Sequence, residues 1–406
     1  MKCAATLLFS LFMADAMAQN ISINLENVAV QRYMSEVTYT PDDSSLISNY
    51  EVSSPNRGDV PVAAVVPLHV TTNTTKLLTY SLKNDFTDGV TISVASDVTE
   101  VKIFNLVPQR KYYYKVEADG KMLSYGVINT SGQVRMIYAP SVYNVRDLGG
   151  WPTTDNKRIR YGKIYRGSEL NGLHVADSAD IEVLRSLGIG AEIDMRAFFE
   201  EEHGISAFGF ESSGLSPSFF YTSDSGQLPE HLTSDYFLYR WHQAFLFTVN
   251  NLRAGRAVYV HCRYGADRTG YFALLLEGLL GVDYDGLVKD YELTSFFIKG
   301  KTKVTIDPVL SFIENLDGTT LQQKFNTFFT KNMYVSQNDV DYFRSVMLTD
   351  STGIKTSFQS PMSNLRPSTT YDLMGRRLLH PKKGLFIQIG ADGKRRLTTL
   401  PIAKEP

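Results

Sequence analysis

Short runs of branched and aromatic residues, separated by turn-forming residues, fill the first third of the chain. They lie at 62–70, 76–82, 90–96, 100–106 and 111–118. Asn, Asp, Gly and Pro stand between them, as is typical of β-strands joined by tight turns. The pattern predicts an all-β sandwich over residues 20–135. No convergent acids, histidines or glycine loop occur there, so we expect a structural or positioning role, with ligand binding as the alternative.

The pattern then changes to one that alternates strands with helices. Residues 257–260 form an apolar run, AVYV, and residues 271–281 form a longer one, YFALLLEGLLG. The polar string HCRYGADRTG (261–270) lies between them, which predicts a strand, a tight loop and a helix. Residues 191–196, AEIDMR, read as a further buried strand. We therefore predict an α/β domain with a central, mostly parallel sheet over residues 136–348.

Both ends of the chain differ from these domains. The first eighteen residues combine Lys2, a short apolar stretch and the small-residue ending Ala16-Met17-Ala18, which predicts a signal peptide over 1–18 and export from the cytoplasm. Residues 349–368 are turn-rich and read as a linker, and 369–406 as a small C-terminal β module. The predicted fold class is therefore multidomain, and no transmembrane segment is expected because the apolar stretch is too short.

Composition narrows the classes of partner. The chain has 406 residues, 43% of them hydrophobic and 21% charged, which is ordinary for a globular protein of two or three domains. Its formal net charge is −2, and no basic run occurs, so nucleic acid is not expected as a partner. The sequence makes no prediction of an oligomeric state.

The string at 261–270 has the spacing that builds a phosphate-binding loop with a nucleophile at its floor. Five residues separate Cys262 from Arg268, enough for a loop to surround one tetrahedral oxyanion with backbone N–H groups at a helix N-terminus. A thiol there ionises readily. We predict that the backbone or side chains of the following residues bind phosphate: Arg263, Tyr264, Gly265, Ala266, Thr269 and Gly270. The alternative is an inert buried cysteine, which would not need the arginine and the two glycines.

Metal and cofactor chemistry find little support in the sequence. No glycine-rich loop ends in Gly-Lys-Ser or Gly-Lys-Thr. The seven histidines are scattered, and His261, beside Cys262, should point to the opposite side of its strand. We therefore expect neither a metal nor a cofactor.

Several ordered blocks resemble one known family. They are NVRDLGG (144–150), YRGSEL (165–170), LRSLGIGAEIDMRAFFEE (184–201), HCRYGADRTG (261–270) and DYELTS (290–295). Together they resemble secreted bacterial cysteine-dependent tyrosine and dual-specificity phosphatases of the lipid type. The resemblance implies that Cys262 attacks phosphorus to form a phosphocysteine, that Arg268 grips two phosphate oxygens, and that Thr269 assists the sulfur when phosphate leaves.

Charged residues in two of these blocks are expected to support the loop. Asp194 and Arg196 stand at the end of a predicted strand, where they either face the ligand crevice or form a structural ion pair. Arg146 and Asp147 are expected to pair and to brace the phosphate loop, together with His261.

The proton donor is open among three aspartates. Asp224 lies in a serine- and glycine-rich stretch that could close over substrate. Asp235 precedes an amphipathic run and reads better as a helix cap. Asp267 occupies a position at which the resembled family often has an acid or base. We favour Asp224 and Asp267 as catalytic candidates.

The substrate prediction rests on one departure from the family pattern. Ala266 stands where the family has a lysine that is associated with phosphoinositides. The expected substrate is therefore a phosphotyrosine protein or a small phosphomonoester, with inositol phosphates and phosphoinositides as the alternative. A second class, a phospho-ligand-binding pseudophosphatase, also remains open.

Two further resemblances concern the flanking regions. Residues 101–130 are similar to the later strands of a fibronectin type III-like domain. The strings YDLMGRR and KGLFI after residue 370 are similar to the C-terminal module of secreted Bacteroidetes proteins, which implies export or surface sorting.

Overall fold

The computed structural model describes residues 17–51, 57–68, 72–212, 219–221 and 230–349, and the backbone of strands between 369 and 400. Most of the predicted signal peptide (1–18) and linker (349–368) lies outside these residues. The chain divides into two compact units, one formed by Met1–Leu25, Val62–Gly132 and Leu365–Pro406, the other by Glu26–Pro61 and Gln133–Asn364. We call them unit 1 and unit 2.

Unit 1 is built from β-strands, as the spaced apolar runs predict. In chain order they are β1 (Met17–Asn24), β2 (Ala64–Pro67), β3 (Lys76–Ser81), β4 (Val90–Val94), β5 (Glu100–Ile103), β6 (Lys111–Ala118) and β7 (Lys121–Ser131). Five of them form a sheet in the order β1-β7-β6-β3-β4, and β2 pairs with β5. Inward residues of both sheets, including Val66, Ile103 and Tyr114, share one buried cluster.

Unit 2 contains the predicted α/β elements. Its helices are α1 (Val28–Glu36), α2 (Ser178–Ser186), α3 (Asp235–Arg253), α4 (Asp267–Leu280), α5 (Tyr284–Glu292), α6 (Lys303–Glu314), α7 (Leu321–Thr327) and α8 (Gln337–Met347). Its strands are β8 (Arg146–Asp147), β9 (Arg158–Ile159), β10 (Ile164–Gly167), β11 (Ile189–Asp194), β12 (Phe219–Tyr221), β13 (Ala257–His261) and β14 (Leu348–Thr349). Within the described residues, no helix has both the length and the apolar character that a membrane span requires.

The central sheet of unit 2 places the predicted loop at its C-terminal edge. The strand order is β12-β11-β13-β10-β8, with parallel pairing except between β10 and β8. Every residue of β13 is buried, and from Thr269 onward so is every residue of α4, because the apolar runs on both sides of the loop enter the core. In parallel sheets, ligands bind at the carboxyl ends of the strands.

One boundary differs from the prediction. Residues 26–61, expected within the N-terminal β domain, belong to unit 2. Helix α1 buries Val30 and Tyr33 in the same core cluster as Tyr291 and Phe296, and the Tyr33 and Phe296 rings lie 5.9 Å apart. The contacts that fix this segment join residues far apart in sequence, so local patterning does not reveal them.

The C-terminal residues 369–400 contain four short strands. They are β15 (Thr369–Tyr371), β16 (Arg377–Leu378), β17 (Gly384–Ile389) and β18 (Arg395–Leu400). Their sheet order is β16-β15-β17-β18, and each pair is antiparallel.

Candidate active site

The string at 261–270 forms a tight loop between β13 and α4. Cys262 directly follows the buried strand and is 3% exposed. Gly265 adopts a φ of +63°, and a Cβ atom there would come within 2.2 Å of the Gly167 carbonyl oxygen at the end of β10. Only glycine fits this close approach. The loop therefore closes against the neighbouring parallel strand.

The carbonyl groups of the loop are held from outside. The Glu169 amide donates to the Arg263 carbonyl (3.1 Å), and Asn144 Nδ2 donates to the carbonyls of Tyr264 and Gly265 (3.1 Å each). Arg166 Nη2 donates to the Gly265 carbonyl at 2.9 Å. In a trans peptide, the N–H points opposite to the C=O. The amides of the same peptide units therefore face the interior of the loop, where they can bind an anion.

A buried ion-pair network supports these outer donors. Asp290 of α5 accepts from Arg146 Nε (3.0 Å) and Arg166 Nη1 (2.6 Å), and all three side chains are at most 2% exposed. Burial raises the pKa of Asp290, but the two guanidinium groups outweigh it and hold that pKa below its ordinary value. Burial, with Arg146 nearby, lowers the pKa of Arg166 to about 10, so Arg166 stays charged at neutral pH.

Arg146 and Asp147 do not pair with each other, contrary to prediction. Arg146 binds Asp290 and also donates to Asn144 Oδ1 (2.7 Å), so it still braces the loop through Asn144. Asp147 instead pairs with Arg135 at 3.0 Å and accepts from the Gly162 amide. Adjacent strand residues point to opposite faces of the sheet, which explains the separate partners.

Arg268 is held by Glu200, a residue for which the sequence analysis predicts no role. Arg268 Nη2 donates to Glu200 Oε1 at 3.0 Å, and Arg268 Nη1 and the Ala197 amide donate to Oε2. Arg263 Nε lies 3.3 Å from Glu200 Oε1. Burial raises the pKa of Glu200, but the bonds from Arg268 and Ala197 outweigh it and lower the pKa overall. The sequence signal that could have revealed this role is the position of Glu200, four residues after Arg196 at the end of AEIDMR.

Asp194 and Arg196 form a buried ion pair and do not face an open crevice. Arg196 Nε and Nη2 donate to the two oxygens of Asp194 at 3.0 and 2.9 Å, and both side chains are fully buried. Arg196 Nη1 reaches Glu169 Oε2 at 3.1 Å and also the carbonyl of Glu201. The pair thus joins the segment that carries Glu200 to the residue whose amide holds the loop.

The neighbours of Cys262 and Arg268 have distinct surroundings. His261 Nε2 lies 2.9 Å from Glu192 Oε1, on the neighbouring strand β11. Thr269 Oγ1 is buried and has no hydrogen-bond partner within the described part of the chain. Gly270 lies against Tyr291, whose ring a Cβ atom at Gly270 would meet at 2.8 Å.

The three candidate proton donors lie in different places. Asp224 falls outside the described residues. Asp235 is exposed and is the first residue of α3, one position after the N-cap residue Ser234. Asp267 is the first residue of α4, and its carboxylate accepts from Lys301 Nζ at 2.8 and 2.9 Å and from the Tyr291 hydroxyl at 2.9 Å.

A row of aromatic rings extends from the loop, which we call the aromatic row: Tyr264, His174, Tyr143 and Phe297. The Tyr264 and His174 rings lie 5.5 Å apart, as do those of His174 and Tyr143. Tyr143 stacks on Phe297 at 5.0 Å with an interplanar angle of 9°. All four side chains are half-buried. They give one side of the loop an apolar, aromatic surface.

Cys262 directly after β13 and Arg268 in the first turn of α4 form the strand, loop and helix that the resemblance to cysteine-dependent phosphatases predicts. The Tyrosine phosphatase family matches residues 137–349, just over half of the 406 residues, and the chain therefore belongs to this family. A protein of Cupriavidus necator whose name places it among the tyrosine-protein phosphatases is 31% identical over 167 residues. The match covers 37% of this chain and 60% of that protein.

Two further proteins are similar over part of their length. The triple specificity protein phosphatase PtpB of Mycobacterium tuberculosis is 25% identical over 197 residues, covering 37% of this chain and 66% of PtpB. The chain thus spans under two thirds of the length of both curated relatives. The crystal structure of P. aeruginosa TpbA matches 42% of this chain and 91% of TpbA at 14% identity and a TM-score of 0.25.

Proposed function

We propose that this chain hydrolyses phosphomonoesters through a phosphocysteine intermediate on Cys262. The Cys262 thiolate attacks phosphorus, an S–P bond forms, and the P–O bond to the leaving group breaks. Water then cleaves the S–P bond, which releases inorganic phosphate and restores the thiolate. The observation that supports this proposal is the set of hydrogen bonds from Glu169, Asn144 and Arg166 to the carbonyl groups of the loop. Because these carbonyls are bound by groups outside the loop, the amides of the same peptide units are free to bind the phosphoryl group.

Arg268 is proposed to bind the transferring phosphoryl group. A planar guanidinium offers parallel N–H donors to two oxygens, and these bonds strengthen as charge develops in the transition state. Glu200 holds the same guanidinium through Nη1 and Nη2. It thereby limits the orientations that Arg268 can adopt.

The leaving oxygen needs a proton, and we propose Asp224 as its donor. Asp267 is engaged by Lys301 and Tyr291, and every one of these contacts donates a hydrogen bond to the carboxylate. These contacts occupy both carboxylate oxygens of Asp267 and suit it to orienting Lys301 rather than to protonating a leaving group. Replacement of Asp224 by Asn should lower kcat by about 10²-fold or more for leaving groups of high pKa.

We propose phosphotyrosine as the substrate class. The aromatic row supports this proposal because aromatic rings pack favourably against an aryl phosphate, by about 0.5–1.5 kcal/mol per ring pair beyond area burial. Ala266, at 1% exposure, supplies no cation at the mouth for a second phosphate. Phosphoinositides remain the alternative that the experiment decides.

The test is hydrolysis of p-nitrophenyl phosphate by the full chain and by variants of the loop. We expect no detectable turnover for Cys262→Ser and a loss of about 10²- to 10³-fold for Arg268→Lys, since one developing charge loses its fork of donors. Arg253→Lys is the matched control, because Arg253 forms a surface pair with Asp339. It should retain wild-type activity.

Two outcomes would contradict the proposal in different ways. Residual wild-type-like turnover in Cys262→Ser would exclude the phosphocysteine step. A wild-type chain that binds inorganic phosphate without turnover would indicate the pseudophosphatase alternative. A higher kcat/KM for a soluble phosphoinositide than for a phosphotyrosine peptide would overturn the substrate class.

For the flanking regions we propose export of the chain, a fibronectin type III-like character for the β region of unit 1, and a sorting role for the C-terminal strands. The proposal of export rests on the pattern of the first eighteen residues. The β region supports the second point through its alternating strands and shared core. Cell fractionation of the full chain and of a chain lacking residues 369–406 tests the first and last points.

A further inference from the structure

A short segment upstream of the family match contacts the scaffold of the phosphate loop. Asp59 is 3% exposed and accepts from Arg57 Nε (3.0 Å) and Nη2 (2.8 Å). Its Oδ2 also accepts the backbone N–H of Asn144 at 2.8 Å. The match to the Tyrosine phosphatase family begins at residue 137, so Asp59 lies outside it.

Asn144 links Asp59 to the loop. Its φ of +55° lies in the left-handed region, which a non-glycine residue keeps only when its surroundings hold it there. The backbone is held by Asp59, and Oδ1 accepts from Arg146 Nη1 at 2.7 Å. This fixes Nδ2 toward the carbonyls of Tyr264 and Gly265, both at 3.1 Å. The direction of two peptide units of the loop thus depends on the Asn144 conformation.

Arg57 binds the backbone of the residues that precede Asn144. Its guanidinium donates to the carbonyls of Pro140 (2.9 Å) and Val142 (3.0 Å). It also lies 4.5 Å from the centroid of the Tyr143 ring, in the aromatic row. Arg57 and Asp59 together therefore hold the backbone of Pro140, Val142 and Asn144.

The same segment is anchored a second time, on α5. The hydroxyls of Tyr33 and Tyr39 donate to Glu292 Oε2 at 2.8 and 2.6 Å, and Glu292 is fully buried. Glu292 stands two residues after Asp290, which holds Arg146 and Arg166. Residues 26–61 thus contact Asn144 directly and also contact α5, the helix that carries Asp290.

We infer that Asp59 is a positioning residue for the phosphate loop, acting through Asn144, and that residues 26–61 are a working part of this phosphatase. The expected effect of Asp59 on turnover rests on the proposed function. The expected effect of Asp59 on anion binding does not depend on turnover, because loop amides can bind inorganic phosphate whether or not Cys262 reacts.

The experiment compares Asp59→Ala, Asp59→Asn and the control Asp43→Asn in the full chain. Asp43 lies in the same segment, is exposed, and accepts hydrogen bonds from Thr40. We expect the Kd for inorganic phosphate to rise by about 10- to 100-fold in Asp59→Ala, as for loss of a hydrogen bond to a charged group. Asp59→Asn should be intermediate, because its amide oxygen can still accept from Asn144. The control should match wild type, and kcat/KM should follow the same order.

Thermal unfolding of each variant separates positioning from folding. An Asp59→Ala chain that unfolds at lower temperature but binds phosphate with wild-type affinity would overturn the inference. If Asp59→Ala does not fold, wild-type phosphate affinity in Asp59→Asn together with wild-type kcat would do the same. A wild-type chain that binds phosphate without hydrolysing it contradicts the proposed function alone, and the phosphate affinities then still decide the role of Asp59.

Discussion

Glu200 shows how one carboxylate can hold the arginine that we propose as the phosphoryl-binding group. It accepts bonds from Arg268 and from the Ala197 amide and lies beside Arg263, while remaining 4% exposed. Its lowered pKa keeps the carboxylate ionised at neutral pH. A depressed pKa means that the pairing contributes stability above the ordinary carboxyl range and loses it as the pH falls through the lowered value.

Replacing Glu200 by Gln should therefore impair catalysis more than folding. Glutamine lacks the charge and offers only one acceptor oxygen, so one of the two hydrogen bonds from Arg268 is lost. The Arg268 guanidinium is then less well oriented for binding two phosphoryl oxygens. We expect kcat/KM for p-nitrophenyl phosphate to fall by about 10- to 100-fold. Steady-state kinetics at neutral pH measure this effect.

Glu201→Gln is the matched control for this substitution, because Glu201 is adjacent and its side chain is exposed. The control should keep wild-type kinetics. An equal loss of kcat/KM in both variants would show that the effect comes from the negative charge of this segment and not from the contact of Glu200 with Arg268.

At the scale of elements, helix α4 both borders the loop that carries Cys262 and forms part of the core. Its N-terminus directly follows the loop that carries Cys262, and its apolar positions enter the core, as the run YFALLLEGLLG predicts. Glu277 interrupts that run and is fully buried, and neither carboxylate oxygen has a hydrogen-bond partner among the described residues. Burial, followed by the nearby Asp290, raises the pKa of Glu277 well above its ordinary value.

Replacing Glu277 by Gln should change how stability depends on pH. A raised folded-state pKa means that Glu277 favours the fold below the ordinary carboxyl range and that this contribution is lost as the pH rises toward the raised value. Glutamine does not titrate, so the free energy of unfolding of Glu277→Gln relative to wild type should increase with pH. The slope is at most about 1.4 kcal/mol per pH unit.

Denaturant unfolding between about pH 5 and pH 8 measures this slope. Glu314→Gln is the control, since Glu314 forms an exposed pair with Lys324 and should give an offset that does not vary with pH. A constant difference between wild type and Glu277→Gln over this range would refute the prediction.

The sequence predicts what is local and misses what is long-range. The strand, loop and helix around Cys262 follow from adjacent apolar runs and a fixed spacing, and the structure has all three elements. The partners of Arg146 and Arg268 do not follow in this way, because Asp290 lies 144 residues from Arg146 and Glu200 lies 68 residues from Arg268. Because Arg146 and Asp147 are adjacent in sequence, the sequence predicts an ion pair between them, but adjacent strand residues point to opposite faces of the sheet.

At the scale of the whole molecule, the same limit explains the domain boundary. The alternating apolar pattern before residue 135 does not distinguish β1 from the segment that follows it. The assignment of residues 26–61 to unit 2 depends on pairs such as Tyr33 with Glu292, which are 259 residues apart. Apolar residues in α1 predict that a face is buried, whereas only the fold shows against what.

The cysteine content of the whole chain leads to a last prediction. Cys3 and Cys262 are its two cysteines, and Cys3 lies within the predicted signal peptide. If Cys262 is the nucleophile, as we propose, a thiolate without a second thiol to form a disulfide proceeds under peroxide from the reversible sulfenic acid to the irreversible sulfinic acid. We therefore expect peroxide to abolish hydrolysis of p-nitrophenyl phosphate, and dithiothreitol to restore it after brief but not after prolonged exposure.

Inorganic phosphate should slow this inactivation, because it fills the loop above the sulfur and limits the approach of peroxide. The Cys3→Ser chain is the control and should lose and regain activity at the wild-type rates. Slower irreversible loss in wild type than in Cys3→Ser would show that Cys3 protects Cys262 as a disulfide, contrary to the prediction. Full activity after prolonged peroxide treatment would mean that Cys262 is inaccessible to a neutral oxidant or is not the nucleophile.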